Sequence, residues 1–97
     1  MTINKTKEDS KLTVQVEGRI DTTTAPQFEK EISQSVDSIK ELILDLSALH
    51  YISSAGLRVI LIMHKACPGG VTISGANQAI KEILSQTGFD SFVTVTL

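Results

Sequence analysis

Leu12, Val14 and Val16 alternate with Thr13, Gln15 and Glu17, the two-residue period of a strand with one buried face. Upstream, Thr2–Thr6 reads as a weak edge strand, and Glu8–Asp9–Ser10 reads as the turn between the two. Gly18 is expected to end the second strand. Thr22–Thr24 then lead into a helix. Thr24 and Gln27 stand at capping-box spacing, and Pro26 falls in the first turn, where a missing N–H costs little. Ala25, Phe28, Ile32 and Val36 follow at helical spacing, with Glu29, Lys30 and Gln34 on the other side.

The period changes at Leu42–Ile43–Leu44–Asp45–Leu46. This apolar run, broken by one acid, predicts a central strand buried on both faces. A helix is expected from about Ala55 to about Ala66, stopped by Pro68–Gly69–Gly70. Val71–Ser74 predicts a short strand. Asn77 can cap a third helix that carries Ile80, Ile83 and Leu84 and is closed by Gly88. Phe92–Leu97 alternates as a last strand.

The predicted order is β-β-α-β-α-β-α-β. Strands alternating with helices imply an α/β fold: a mixed, mainly parallel sheet of four to five strands, three or more helices, and right-handed crossovers. The first two strands pair as a hairpin. No repeat or low-complexity linker interrupts the chain, so residues 1–97 are read as a single domain. Loops that leave the carboxyl ends of parallel strands gather at one edge of such a sheet. Gly18–Thr24 and Ser47–Ser54 are two such loops. Asp21, the threonines, Ser53 and Ser54 are therefore expected to face one another.

Composition narrows the function classes. Net charge is −2 and aromatics make up 4% of the chain, so neither the basic footprint nor the stacking platform of a nucleic-acid binder is present. Cys67 is the one cysteine, which rules out an intrachain disulfide and suits a reducing compartment. The opening MTINKTKEDSK is polar and unlike a signal peptide. Val59–Met63 is far too short an apolar run to span a bilayer. The expectation is a cytoplasmic protein with no direct membrane insertion.

The joint between the central strand and the second helix carries two adjacent serines, Ser53 and Ser54. One serine suffices as a helix cap, worth about 0.5–2 kcal/mol. The other reading is a phosphorylation switch, because free N–H groups and the positive dipole end at a helix N-terminus tolerate a phosphate. The following Leu57, Val59, Ile60, Leu61, Ile62 and Met63 either pack wholly on the sheet or leave an apolar docking patch. Arg58 and His64 mark the wetter side.

Other chemistry finds little support. Ser54, His50 or His64, and Asp21 supply the residue types of a hydrolase triad, but no G-x-S-x-G surrounds the serine. No catalytic residue is assigned. His64 and Cys67 are only two potential ligands, short of the four of a structural zinc site, so no metal is expected. Gly69–Gly70 lacks the Lys and Ser/Thr of a phosphate loop, so no nucleotide or other cofactor is expected. Asp45 is read as a strand-end acid bonded to the next loop.

Several stretches together resemble the STAS domain family, in particular the bacterial anti-sigma factor antagonists. They are VEGRID (Val16–Asp21), ILDLS (Ile43–Ser47), YISSAGLRVIL (Tyr51–Leu61), ISGAN (Ile73–Asn77) and GFD (Gly88–Asp90). The resemblance spans nearly the whole chain and implies a STAS-like sheet. It also implies a partner switch. The unphosphorylated antagonist binds an anti-sigma factor that is also a serine kinase, releasing the sigma factor. Phosphorylation by that kinase breaks the complex, and a metal-dependent serine phosphatase resets it. Carried onto this chain, the phosphoacceptor is Ser54, and Asp21 matches the acid beside it. Many relatives have an Asp before the acceptor, where this chain has Ser53, and a Ser or Thr after it, where it has Ala55. Ser53 is thus a competing acceptor as well as a pocket residue. Leu57 and Arg58, in the first turn, are the expected partner interface. Some relatives are not phosphorylated, which leaves open an adaptor subunit of a phospholipid transporter or signalling assembly.

Overall fold

A computed structural model describes residues 1–96. Strand β1 (Thr2–Glu8) and strand β2 (Lys11–Ile20) form the antiparallel hairpin, turned at Asp9–Ser10, with Asp9 in the left-handed region at φ 54°. Helix α1 (Ala25–Ser33) follows, then a short 3-10 turn at Val36–Ser38. Strand β3 (Glu41–Ile52), helix α2 (Ser54–Ala66), strand β4 (Val71–Ser74), helix α3 (Gln78–Gln86) and strand β5 (Thr94–Val95) complete the order. Leu97, the last residue of the expected final strand, lies outside the described residues.

The sheet runs β1-β2-β3-β4-β5, with β2, β3, β4 and β5 parallel. Strand order rises steadily along the chain. Right-handed crossovers therefore carry all three helices to the same face. Burial follows this plan. Leu12, Val14, Val16, Leu42, Leu44, Val71 and Ile73 are buried under the helices, whereas Thr13, Gln15, Ile43, Asp45, Thr72 and Ser74 on the other face are only half-buried. The expectation that the central strand is buried on both faces is corrected here. An apolar run does not by itself separate one covered face from two, and Asp45 and its paired neighbours Gln15 and Ser74 supply the polar side. Asp45 is not the strand-end acid bonded to the next loop that was expected: it lies within β3 and accepts the N–H of Ser47, two residues on in the same strand, at 3.0 Å.

Two boundaries move in a way that shapes the site. Gly18 does not end β2; the strand runs on to Ile20, with Gly18 at φ 98°. Strand β3 likewise continues through Ser47–His50 to Ile52. Gln15 pairs with Asp45 but Glu17 with Ala48, and Gly18 pairs with Leu49 but Arg19 with Tyr51. At each shift β3 takes up one residue more than β2. These bulges bend and twist the end of β3. Helix α1 is shorter than its apolar spacing suggests, and Val36 falls in the 3-10 turn.

The core runs from Leu12 to Val93, with Phe28 at its largest fully buried position. On α3, Asn77 does more than cap. Its Oδ1 accepts the Ile80 N–H at 2.9 Å while its Nδ2 donates to the Leu49 carbonyl at 3.2 Å. The side chain thus ties the start of α3 to the bulged end of β3. Asn77→Ala should cost about 1 kcal/mol for the cap alone, and more if the Leu49 carbonyl is left unpaired. Urea unfolding monitored by circular dichroism checks this; a loss below about 0.3 kcal/mol would contradict it.

Candidate functional site

Ile20 of β2 pairs with Ile52 of β3, and the Ser53 N–H donates to the Ile20 carbonyl at 2.8 Å. The two strands thus leave the sheet side by side, which places Asp21 and Ser53 next beyond a paired position. The expected convergence of the two segments is present, although Ser47–Ile52 belongs to the strand itself. Asp21 and Ser54 make no direct hydrogen bond among the described residues.

Asp21 organises its own turn. Its Oδ1 accepts from the Thr23 N–H at 2.9 Å, the Thr23 hydroxyl at 2.7 Å and the Thr24 N–H at 3.0 Å. The Asp21 N–H in turn donates to Thr24 Oγ1 at 2.8 Å. The capping box expected of Thr24 and Gln27 does not form, and the Thr24 side chain makes no cap bond to α1. The reason is competition: the Thr24 hydroxyl is held by Asp21, whose carboxylate takes the N–H groups just ahead of the helix. These donors, the Thr23 hydroxyl foremost, bring the Asp21 pKa from an ordinary 3.8 down to about 2. Arg19 Nε lies 3.2 Å from Asp21 Oδ2, and its guanidinium stands 5.0 Å from the centre of the Tyr51 ring.

The two serines divide the joint between them. Ser53 has extended backbone, and its hydroxyl oxygen accepts the Gly56 N–H at 3.4 Å; its carbonyl accepts the Leu57 N–H at 3.0 Å. It is the cap of α2 and is half-buried. Ser54 is the first helical residue, is exposed, and has a hydroxyl without a hydrogen-bond partner among the described residues. Gly56 explains the close seating of this turn. A Cβ there would lie 2.7 Å from both Ile20 Cγ2 and Ile52 Cγ1.

Leu57, expected on the interface, is turned inward at 6% exposure and belongs to the core. Helical geometry sends it to the side that Gly56, Val59 and Ile60 also occupy. The surface of the first turns instead consists of Ser54 and Arg58, with Ile62 37% exposed one turn later. Between α1 and α2 lies an open groove of about 220 Å³, whose walls include Thr22, Pro26, Glu29, Arg58 and Ile62. Arg19 and Tyr51 were not expected at this site. Their signal was available only in part: Arg19 is two residues from Asp21, but its pairing with Tyr51 depends on the bulges.

The remaining candidates serve packing. His64 Nδ1 accepts the Val71 N–H at 3.2 Å, and the ring packs against Phe92 at 5.3 Å. Cys67 is buried, which pushes its thiol pKa up and away from the reactive thiolate. No helix among the described residues is long and apolar enough to cross a membrane.

Comparison with known proteins extends this geometry. The model of the STAS domain matches residues 2–97. A Bordetella bronchiseptica protein, described as the putative anti-sigma factor antagonist BtrV, is 32% identical, covering 98% of this chain and 85% of that protein. The crystal structure of an anti-sigma factor antagonist from Mycobacterium paratuberculosis superposes with a TM-score of 0.87 at 29% identity, over 97% of this chain and 83% of that one. The anti-sigma factor antagonist SpoIIAA of Bacillus shares the fold at 12% identity. Its unphosphorylated form gives a TM-score of 0.85 over 99% of this chain and 89% of its own, and its phosphorylated form gives 0.76 over 99% and 92%.

Two outcomes follow from the site geometry. Gly56→Ala should destabilise the fold despite the better helix propensity of alanine. Overpacking costs about 1–3 kcal/mol and the propensity gain is about 1 kcal/mol, so urea midpoints should fall. A midpoint at or above that of the unchanged chain would refute the close seating. For Asp21 the pKa is lowered on folding, so its stabilisation is complete above about 3.8 and is lost as pH falls toward about 2. A carbon-detected NMR titration should place the Asp21 midpoint near 2; a midpoint near 3.8 would contradict the threonine bonds.

Proposed function

This chain belongs to the STAS domain family, and we propose that it acts there as an anti-sigma factor antagonist switched by phosphorylation of Ser54. The reading rests most on one observation. Of the two serines at the joint, Ser54 has the exposed, unengaged hydroxyl, while Ser53 is occupied as the cap of α2. The names carried by the Bordetella and Mycobacterium relatives support the function class. The role is regulatory, carried by binding rather than by catalysis within this chain.

In the unmodified state the carboxyl edge around Ser54 and Arg58 docks an anti-sigma factor that is also a serine kinase, and the sigma factor is freed. The kinase then transfers the γ-phosphoryl group of ATP. A bond forms between Ser54 Oγ and phosphorus, the bond to the ADP oxygen breaks, and the hydroxyl proton passes to a base. Asp21 is poorly suited to be that base, because a carboxylate with a pKa of about 2 holds a proton weakly. Its part is to fix the turn beside the acceptor, and the kinase supplies the base. A metal-dependent serine phosphatase restores the hydroxyl by hydrolysis, releasing inorganic phosphate.

Magnitudes make one phosphate sufficient. It adds about −1.5 to −2 charge at pH 7. Buried unpaired at an interface, it costs several kcal/mol of desolvation. Reversing a 99:1 equilibrium takes about 5.5 kcal/mol. The domain itself need not change. Bacillus SpoIIAA, whose fold this chain shares, has been solved in unphosphorylated and phosphorylated forms.

Intact mass after incubation with ATP and the anti-sigma kinase encoded in the same genome tests the assignment. The unchanged chain and Ser53→Ala should each gain one phosphate, and Ser54→Ala none. Phosphate on Ser54→Ala but not on Ser53→Ala would move the acceptor to Ser53. No phosphate on any sample would favour a non-phosphorylated adaptor.

A further inference from the structure

We propose that Arg58 is a built-in clamp for the phosphate on Ser54, so that modification both adds negative charge and withdraws this guanidinium from the docking surface. The inference rests on Ser54 as the modified residue and concerns what the phosphate meets once it is there.

Ser54 and Arg58 stand four residues apart on α2 and are both exposed, whereas Gly56 and Leu57 between them are buried. Residues at this spacing have Cβ atoms about 5–6 Å apart, and an acidic group placed N-terminal to a basic one is the favourable order. Among the described residues Arg58 has no ion-pair partner; the ion pairs there are Lys5–Glu31 and Arg19–Asp21. Glu29 lines the same groove without closing a bridge to it. Arg19, the other cation of this edge, is engaged by Asp21 and by the Tyr51 ring. Asp21 therefore contributes negative charge to the edge and holds one arginine, leaving Arg58 for the new anion. A guanidinium suits that task because its planar fork meets phosphate oxygens in pairs.

The clamp changes the meaning of the switch. In the unmodified protein Arg58, without an ion-pair partner among the described residues, stands in the first turns of α2, open to an acidic group of the partner. In the phosphorylated protein it turns back along its own helix. A partner carboxylate that met Arg58 then meets a phosphate instead.

The test uses the full chain with phosphoserine placed at position 54 during translation, which needs no kinase. The phosphorus-31 NMR shift follows the phosphate from monoanion to dianion near pH 6. A clamp favours the dianion. The midpoint in the otherwise unchanged chain should lie about 0.2–0.4 pH unit below that of Arg58→Ala. Arg58→Lys should fall between them, and the difference should shrink in high salt. Arg19→Ala should shift the midpoint less than Arg58→Ala does. Equal midpoints with and without Arg58, or a larger effect from Arg19, would overturn the proposal. A kinase that fails to modify Ser54 would sink the proposed function and leave this titration standing, so the two failures are distinct. Arg58 is exposed, and matching thermal midpoints of the unphosphorylated variants would confirm that the fold is intact.

Discussion

The first turn of α2 approaches the ends of β2 and β3 so closely that only a residue without a side chain fits at position 56, where a Cβ would lie 2.7 Å from carbons of Ile20 and Ile52. That contact fixes the helix to the carboxyl edge of the sheet. The Ser53 N–H, bonded to the Ile20 carbonyl, fixes the residue before it. The two together decide what each neighbouring side chain can do. Ser53 is pinned as a cap, Leu57 is driven into the core, and Ser54 and Arg58 are left outside. A rigid seat of this kind lets a chemical change on the surface alter binding without disturbing the domain beneath it.

The acid beside the joint is engaged in its own turn. Asp21 gives one carboxylate oxygen to Thr23 and Thr24, which lower its pKa and hold it ionised, and its other oxygen faces Arg19. It is a structural anion, which organises the turn into α1 and keeps Arg19 stacked near Tyr51. Among the described residues the carboxyl edge thus carries one engaged arginine and one without an ion-pair partner.

Much of the architecture was legible in the sequence because its signals are local. The alternation at Leu12–Val16 and the caps at Asn77 and Gly88 each report a short-range preference, and the element order follows from them. The misreadings have a common cause in tertiary context. Leu46, Leu49 and Ile52 are buried three residues apart because β3 bulges, so the period of two disappears just where the strand continues. The Thr24 capping box failed because a nearby carboxylate outbid it, and nothing in the Thr–Gln spacing reveals that competitor. Leu57 looked like a surface residue from its place in the first turn, but the rotation of the helix about its seat was not readable. The division between Ser53 and Ser54 was likewise hidden, since either can cap and only the helix start distinguishes them.

The most direct measurement is a calorimetric titration of the anti-sigma factor into the full chain with Ser54 unmodified or phosphorylated, paired with thermal unfolding of both forms. The unmodified chain should bind, phosphorylation should weaken binding by about 100-fold or more, and the unfolding midpoint should not fall. Equal affinities would contradict this, and so would a loss of binding that comes with a destabilised fold.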